Sequence, residues 1–395
     1  MGFGAGDSPG SSAHGPTAAP VAPSPDKRVE PLELFFDLVF VFAITQVTAR
    51  LVDDATWTGL LRGMLVLSAI WWAWGAYAWL TNEVEMSRLG VRLTIFAAMA
   101  GMLVAALAIP AAFEDDGWVF AAGYLVVRVL HIALFVLGSR DVDVRLAART
   151  LAPTALLAPV VLLVSAGLDG AAQLLLWAVA LGLDYVGGGL RGIAGWRLSP
   201  SHFAERHGLI IIIALGESIV ALGVGAGQVD LGAGTITAAV LGIAVVAMLW
   251  STYFDSSTER IEARLHATPS GRARNTMARD AYSFLHLPMV AGIVLLALGV
   301  KKALAHVDHA LPVVPAVALG AGVALYLLAQ VLYRMRCGLP PAWDRVTVSV
   351  LCLALIPLLA TVPALVGLAV LAVVCAALPA GEVWARARSA AAGPP

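Results

Sequence analysis

Two carboxylates four residues apart open the first long apolar run of this chain, Glu33 and Asp37 in ELFFDLVFVFAITQVTARL. That spacing puts both on one face of a helix. A carboxylate in the first turn complements the helix dipole, which would account for Glu33. Asp37 lies one turn deeper, flanked by Phe35, Phe36, Leu38 and Phe40, and a charge in such surroundings requires a partner or a task. Gln46, nine residues on, is rotated about half a turn away and faces a different neighbour.

Other ionisable residues stand inside apolar runs. In GWVFAAGYLVVRVLHIALFVLG, Tyr124, Arg128 and His131 form a single helical stripe. Arg128 is too deep to reach the run's ends easily and must meet an acid, with Asp37, Asp184 and Glu217 available. Either a register-fixing ion pair or an anion- or proton-handling site would satisfy it. His131 reads as a proton relay or as a hydrogen-bonded core histidine. In LLLWAVALGLDYVGGGLRG, Trp177, Asp184 and Arg191 share a face, and Gly187, Gly188 and Gly189 mark a close approach, a break or a simple stop. In SHFAERHGLIIIIALGESIVALGVGA, His202, Arg206 and Glu217 fall in one angular sector, with Glu205 and His207 at the mouth of the run. His286 stands one turn inside another run, just before Pro288.

The elements that must position these groups follow from composition. The chain has 395 residues, 60% hydrophobic and 13% charged, with a formal charge of −1. Soluble domains carry about 25% charged residues, so this is the arithmetic of a polytopic membrane protein. It excludes a basic nucleic-acid binder, an acidic disordered chain and a disulfide scaffold. Cys337, Cys352 and Cys375 lack metal-ligand spacing, and nothing in the sequence calls for a metal or cofactor. The expected partners are the bilayer and an unidentified small molecule or ion.

Twelve apolar runs are candidate spans: 33–51, 59–80, 91–112, 118–138, 150–168, 173–190, 207–227, 232–254, 282–300, 311–333, 345–362 and 363–380. The expected fold is an all-α transmembrane bundle over 27–380. A Pro/Gly/Ser/Ala-rich tail precedes it at 1–26 and a short tail follows at 381–395. Only Thr361, Val362 and Pro363 separate the last two runs, so one kinked or re-entrant segment is an alternative. Those two runs hold almost nothing ionisable and read as scaffold or oligomer contacts. With both termini cytoplasmic, 20 of the 25 Lys and Arg residues fall on the inner side and four on the outer side, as the positive-inside rule requires. Arg128, the remaining one, lies deep within a span. The long inner loop 255–281 reads as a solvated loop or as an amphipathic helix before the Pro269–Gly271 turn.

Two stretches, RVEPLELFFDLVFVFAITQVT at 28–48 and SHFAERHGLIIIIALGESIVALG at 201–223, resemble the signature segments of the bacterial low-temperature-requirement A (LtrA) family. The resemblance covers about 28–380 and implies a multi-pass protein of the bacterial plasma membrane. It puts Glu33, Phe36, Asp37 and Gln46 at the family positions of the first motif. Glu205, Arg206, Gly216 and Glu217 take those of the second. The family's name reflects growth in the cold and carries no molecular activity.

Setting Gln46 against Glu217 also aligns Leu34 with Glu205 and Phe36 with His207, which suggests two six-helix halves related by parallel duplication. Three functions are compatible with these residues. The first is a secondary transporter or ion- or proton-coupled permease built on the buried groups, which are expected to converge on one interior locus. The second is a membrane-embedded enzyme doing acid–base chemistry on a lipid or isoprenoid, with Phe35, Phe36, Trp71, Trp72 and Trp74 lining an apolar cavity. The third is a membrane protein without turnover, whose charges only fix helix register.

Overall fold

The computed structural model describes residues 1–2, 27–139, 141–190, 196, 198–227, 229–255 and 257–391. Among them fifteen α-helices and no strand longer than an isolated bridge are found. Ten helical segments are long and apolar enough to cross a membrane. The first six are α1 (Pro31–Asp53), α2 (Trp57–Glu83), α3 (Leu89–Leu107), α4 (Gly117–Ala133), α5 (Val142–Ser165) and α6 (Gly170–Leu190). Then come α7 (Pro200–Gly227) and α8 (Ala233–Phe254), the short α9 (Thr258–Ala267) and α10 (Arg272–Ala278), and α11 (His286–Ala305) and α12 (Val313–Arg336).

The two C-terminal runs fold differently from the rest. One is broken at Leu355 into α13 (Trp343–Ala354) and α14 (Ile356–Leu359). The other forms α15 (Ala364–Ala391), of which Ala364–Leu378 is an apolar stretch shorter than the other spans. Large apolar side chains such as Phe96, Leu103, Val129, Leu175, Ile219, Val240 and Val373 lie exposed on the helix flanks, the surface a bilayer would cover.

Local chemistry sets the helix ends. Glu30 caps α1, with Pro31 at the first helical position and a reciprocal capping box to Glu33. The Thr56 hydroxyl accepts from the Gly59 amide, 3.0 Å away, at the start of α2. The loop 255–281 is helical: α9 buries Ile261 and Leu265 and turns its charged side outward, and Gly271 then supplies a positive φ of 93°. The following turn, Arg279–Phe284, is π-helical, a local widening that often marks functional positions.

The packing order of the first six helices recurs in the second set. α1 packs on α2 and α3, α3 on α4, α4 on α5, α5 on α6, and α6 returns to α2. Likewise α7 packs on α8 and α11, α11 on α12, α12 on α13, α13 on α15, and α15 returns to α8. Glycines bring the third and fourth helices of each set into backbone contact. A Cβ on Gly123 would lie 2.8 Å from both the Gly101 carbonyl and the Ala105 amide, and one on Gly322 would lie 2.7 Å from the Gly292 carbonyl and 2.8 Å from the Leu296 amide. The two sets meet where α1 touches α7 and α11.

Two of the arginines counted on the inner side, Arg334 and Arg345, are buried. Arg334 and Arg345 both donate to the Ser257 hydroxyl, at 2.9 and 3.2 Å, and Arg345 also donates to the Thr252 carbonyl at 2.8 Å. They tie α12 and α13 to the end of α8.

Candidate functional site

The first and second motifs meet along the α1–α7 seam. Arg206 on α7 places Nη1 3.2 Å from Glu33 Oε2 and donates from Nη2 to Asp37 Oδ1 at 2.8 Å. His202, one turn earlier, sets Nε2 3.0 and 2.9 Å from the two oxygens of Glu33. The Trp74 indole of α2 donates to the same Asp37 oxygen at 2.9 Å, and its ring lies 5.8 Å from the Arg206 guanidinium carbon. Glu33, Asp37, His202 and Arg206 are all fully enclosed. The i,i+4 spacing on α1 and the matching spacing of His202 and Arg206 on α7 let two parallel helix starts interlock. Glu33 keeps its capping role as well, accepting from the Glu30 amide at 3.3 Å.

Further along the seam, Glu217 accepts a hydrogen bond from the Thr45 hydroxyl. Eleven residues separate Glu217 from Arg206, about 16 Å along the helix axis. The intervening stretch is apolar: Phe40, Ile44, Leu67, Ile70, Ile210 and Val290 surround a void of about 10 Å³, about one water in size. At the far end of α1, Arg50 donates to the Pro110 carbonyl and lies 3.7 Å from Glu114.

A second ionic group lies between α4 and α6. Arg128 donates from Nη2 to Asp184 Oδ1 at 2.7 Å, and the Tyr124 hydroxyl donates to Asp184 Oδ2 at 2.8 Å. Of the three acids open to Arg128, the structure selects Asp184. His131 donates from Nε2 to the Ala76 carbonyl, 3.1 Å away.

His207 was expected at the mouth of its run, but it is completely buried. Its ring stands edge-on to Trp74, Tyr282 and His286 at 4.9, 5.0 and 5.2 Å, because α7 begins at Pro200 and carries His207 inside. His286 donates from Nδ1 to the Ala281 carbonyl at 3.0 Å, which leaves Nε2 to accept from the Tyr253 hydroxyl at 2.8 Å. Glu205 is exposed and accepts from the Val29 amide at 3.1 Å. Gln46 is half-buried and stands apart from both ionic groups. Arg191 and most of the 1–26 tail lie outside the described residues.

The ionisable groups therefore do not converge on one locus. They form a cluster at the α1–α7 start, a separate Arg128–Asp184 pair and an isolated Glu217 deeper in the seam. His202, Arg206 and Glu217 do all face α1, as their angular sector requires. Residue typing alone overlooked Trp74 and Thr45 as partners. Their signal was the indole at i+3 from Trp71 and the hydroxyl eight residues after Asp37.

The family model for bacterial low temperature requirement A protein (LtrA) matches residues 28–380. The chain belongs to the LtrA family. An uncharacterized protein of Rhizobium meliloti (strain 1021) is 30% identical to this LtrA chain over 285 residues, which cover 69% of each. Both stretches that form the α1–α7 seam lie within the matched range, and this LtrA protein is a polytopic membrane protein with an all-helical fold.

Proposed function

We propose that this protein is a proton-coupled secondary transporter of the bacterial plasma membrane, with its N-terminus on the cytoplasmic side. The observation that carries the reading is the charge count of the α1–α7 cluster. Two carboxylates, Glu33 and Asp37, share one guanidinium, Arg206, in a fully buried site. An uncompensated negative charge there is costly. One proton restores neutrality, either on His202 or on a carboxylate, and its release or uptake changes how tightly α1 and α7 are held together.

Supporting features surround the cluster. The recurring packing order fits two parallel six-helix repeats, and such folds place coupling sites where the repeats meet. Here that meeting place is α1 against α7. Glu217 with Thr45 forms a second protonatable station deeper in the same seam, beyond the apolar stretch around Phe40 and Ile210. A pair of stations divided by an apolar constriction suits a gated path better than an open pore.

The test is proton movement in proteoliposomes carrying a trapped pH indicator. An imposed potential should drive proton uptake in the native protein, and Asp37→Asn and Glu217→Gln should each abolish it while leaving the reconstituted protein folded. Uptake unchanged in both variants would overturn the reading.

A further inference from the structure

A cavity of about 80 Å³ lies beside the Arg128–Asp184 pair. It is bounded by α2, α4, Leu151 of α5, the end of α6, Trp196 and the π-helical turn Arg279–Phe284. At about 10–15 Å³ per water, it has room for several waters or for one small organic solute. Its walls include four indoles, Trp71, Trp72, Trp79 and Trp196, and among the described residues its charged lining is Arg128 and Arg279, with no carboxylate.

Two enclosed side chains of the lining have unused hydrogen-bonding atoms. Arg128 and His131 are each 1% exposed. Arg128 spends Nη2 on Asp184, while Nε and Nη1 have no protein partner. His131 gives its Nε2 proton to Ala76, which leaves Nδ1 as a lone-pair acceptor, also without a protein partner. Buried donors and acceptors left open cost free energy unless something fills them. A further excess of positive charge stands close by. Arg279 and Arg336 share the single carboxylate of Asp280, at 2.7 and 2.9 Å.

We propose that this cavity binds a small organic carboxylic acid with a flat, unsaturated body. An open N–H of Arg128 donates to the carboxylate, the acid's proton sits on or against His131 Nδ1, and the body lies among the indoles. The paired Arg128 and Asp184 are already neutral together, so an acid arriving with its proton adds no net charge to the interior. The assignment stands on the cavity's own lining and is independent of proton coupling at the α1–α7 seam.

Gly75 provides the means of testing it. This glycine lines the cavity, and a Cβ built on it would meet nothing within 4 Å. Gly75→Leu therefore starts into open space at its Cβ and fills part of the cavity, and it replaces a poor helix former with a good one. Benzoate is the probe, titrated into the full-length protein in nanodiscs and followed by tryptophan fluorescence and calorimetry. Saturable binding is expected for the native protein. It should fall by about tenfold or more in Gly75→Leu and in Arg128→Lys, which keeps the charge but loses the guanidinium's directed N–H donor. Toluene, which has the ring without the carboxyl, and inorganic chloride should compete at least about tenfold more weakly. Asp37→Asn should bind benzoate like the native protein, so failure of the coupling reading and failure of this one are read separately. A cavity holding water only, seen as no saturable response, would overturn the proposal. So would equal binding by native and Gly75→Leu protein, or equal competition by toluene or chloride.

Discussion

Arg206 Nη2 donates to Asp37 Oδ1 across 2.8 Å, with both side chains sealed between α1 and α7. Arg206 is also the only guanidinium in contact with Glu33 among the described residues. Removing it would leave two carboxylates buried together. Loss of one partner from a buried ion pair costs about 3–5 kcal/mol. Arg206→Ala should accordingly lower the thermal midpoint in detergent by many degrees. Arg206→Lys, which keeps the charge but not the fork, should fall between the two.

The apolar stretch between Asp37 and Glu217 should limit how fast protons pass in the native protein. Phe40 is 1% exposed and borders the one-water void. Phe40→Ala enlarges that void enough to admit further waters, which can bridge the two stations. The expected result is a raised passive proton leak in proteoliposomes without any driving solute. A leak no faster than that of the native protein would show that the stretch does not separate a continuous path.

The Arg128–Asp184 pair lends itself to a double-mutant cycle. Arg128→Leu or Asp184→Leu alone leaves an uncompensated buried charge, at about 3–5 kcal/mol. The combination of both removes the charge altogether, and its stability should return to within about 1–2 kcal/mol of the native protein. Unfolding midpoints of the three variants measure this. If the double variant is stable yet no longer binds benzoate, the pair serves the cavity as well as the fold.

Much of the architecture was legible because lipid imposes a simple length rule. Every one of the twelve apolar runs is occupied by a helix, whole or broken. The Glu33–Asp37 and His202–Arg206 pairs were visible as same-face spacings, and their mutual contact follows from two helices starting at the same end of the bundle. What spacing could not show is which faces turn toward each other. Arg128 had three acids open to it, and only the packing of α4 on α6 selects Asp184. The fate of His207 depended on where α7 begins, and hydropathy put that start seven residues too late, because Ser201, His202, Glu205 and Arg206 read as solvated. The cavity was legible only in part: Trp71 and Trp72 do line it, but Arg128, His131, Leu151, Gly188 and Arg279 reach it from α4, α5, α6 and the π-helical turn, which no local pattern brings together.

The three thiols report on the integrity of the C-terminal helices. Cys337, Cys352 and Cys375 are 2%, 0% and 0% exposed. Cys337 follows α12 directly, and burial pushes its thiol up to about 12, with Arg336 pulling partly back. Maleimide attacks the thiolate, so at pH 8 only about one Cys337 in ten thousand is reactive at any instant. Each unit of added pH up to that value should raise its rate about tenfold, until the thiolate predominates. The folded protein should therefore incorporate almost no maleimide at pH 7–8, and all three sites should label after denaturation in SDS, as counted by intact mass. Ready labelling of Cys337 in the folded protein at pH 7 would mean that the α12–α13 junction opens to water.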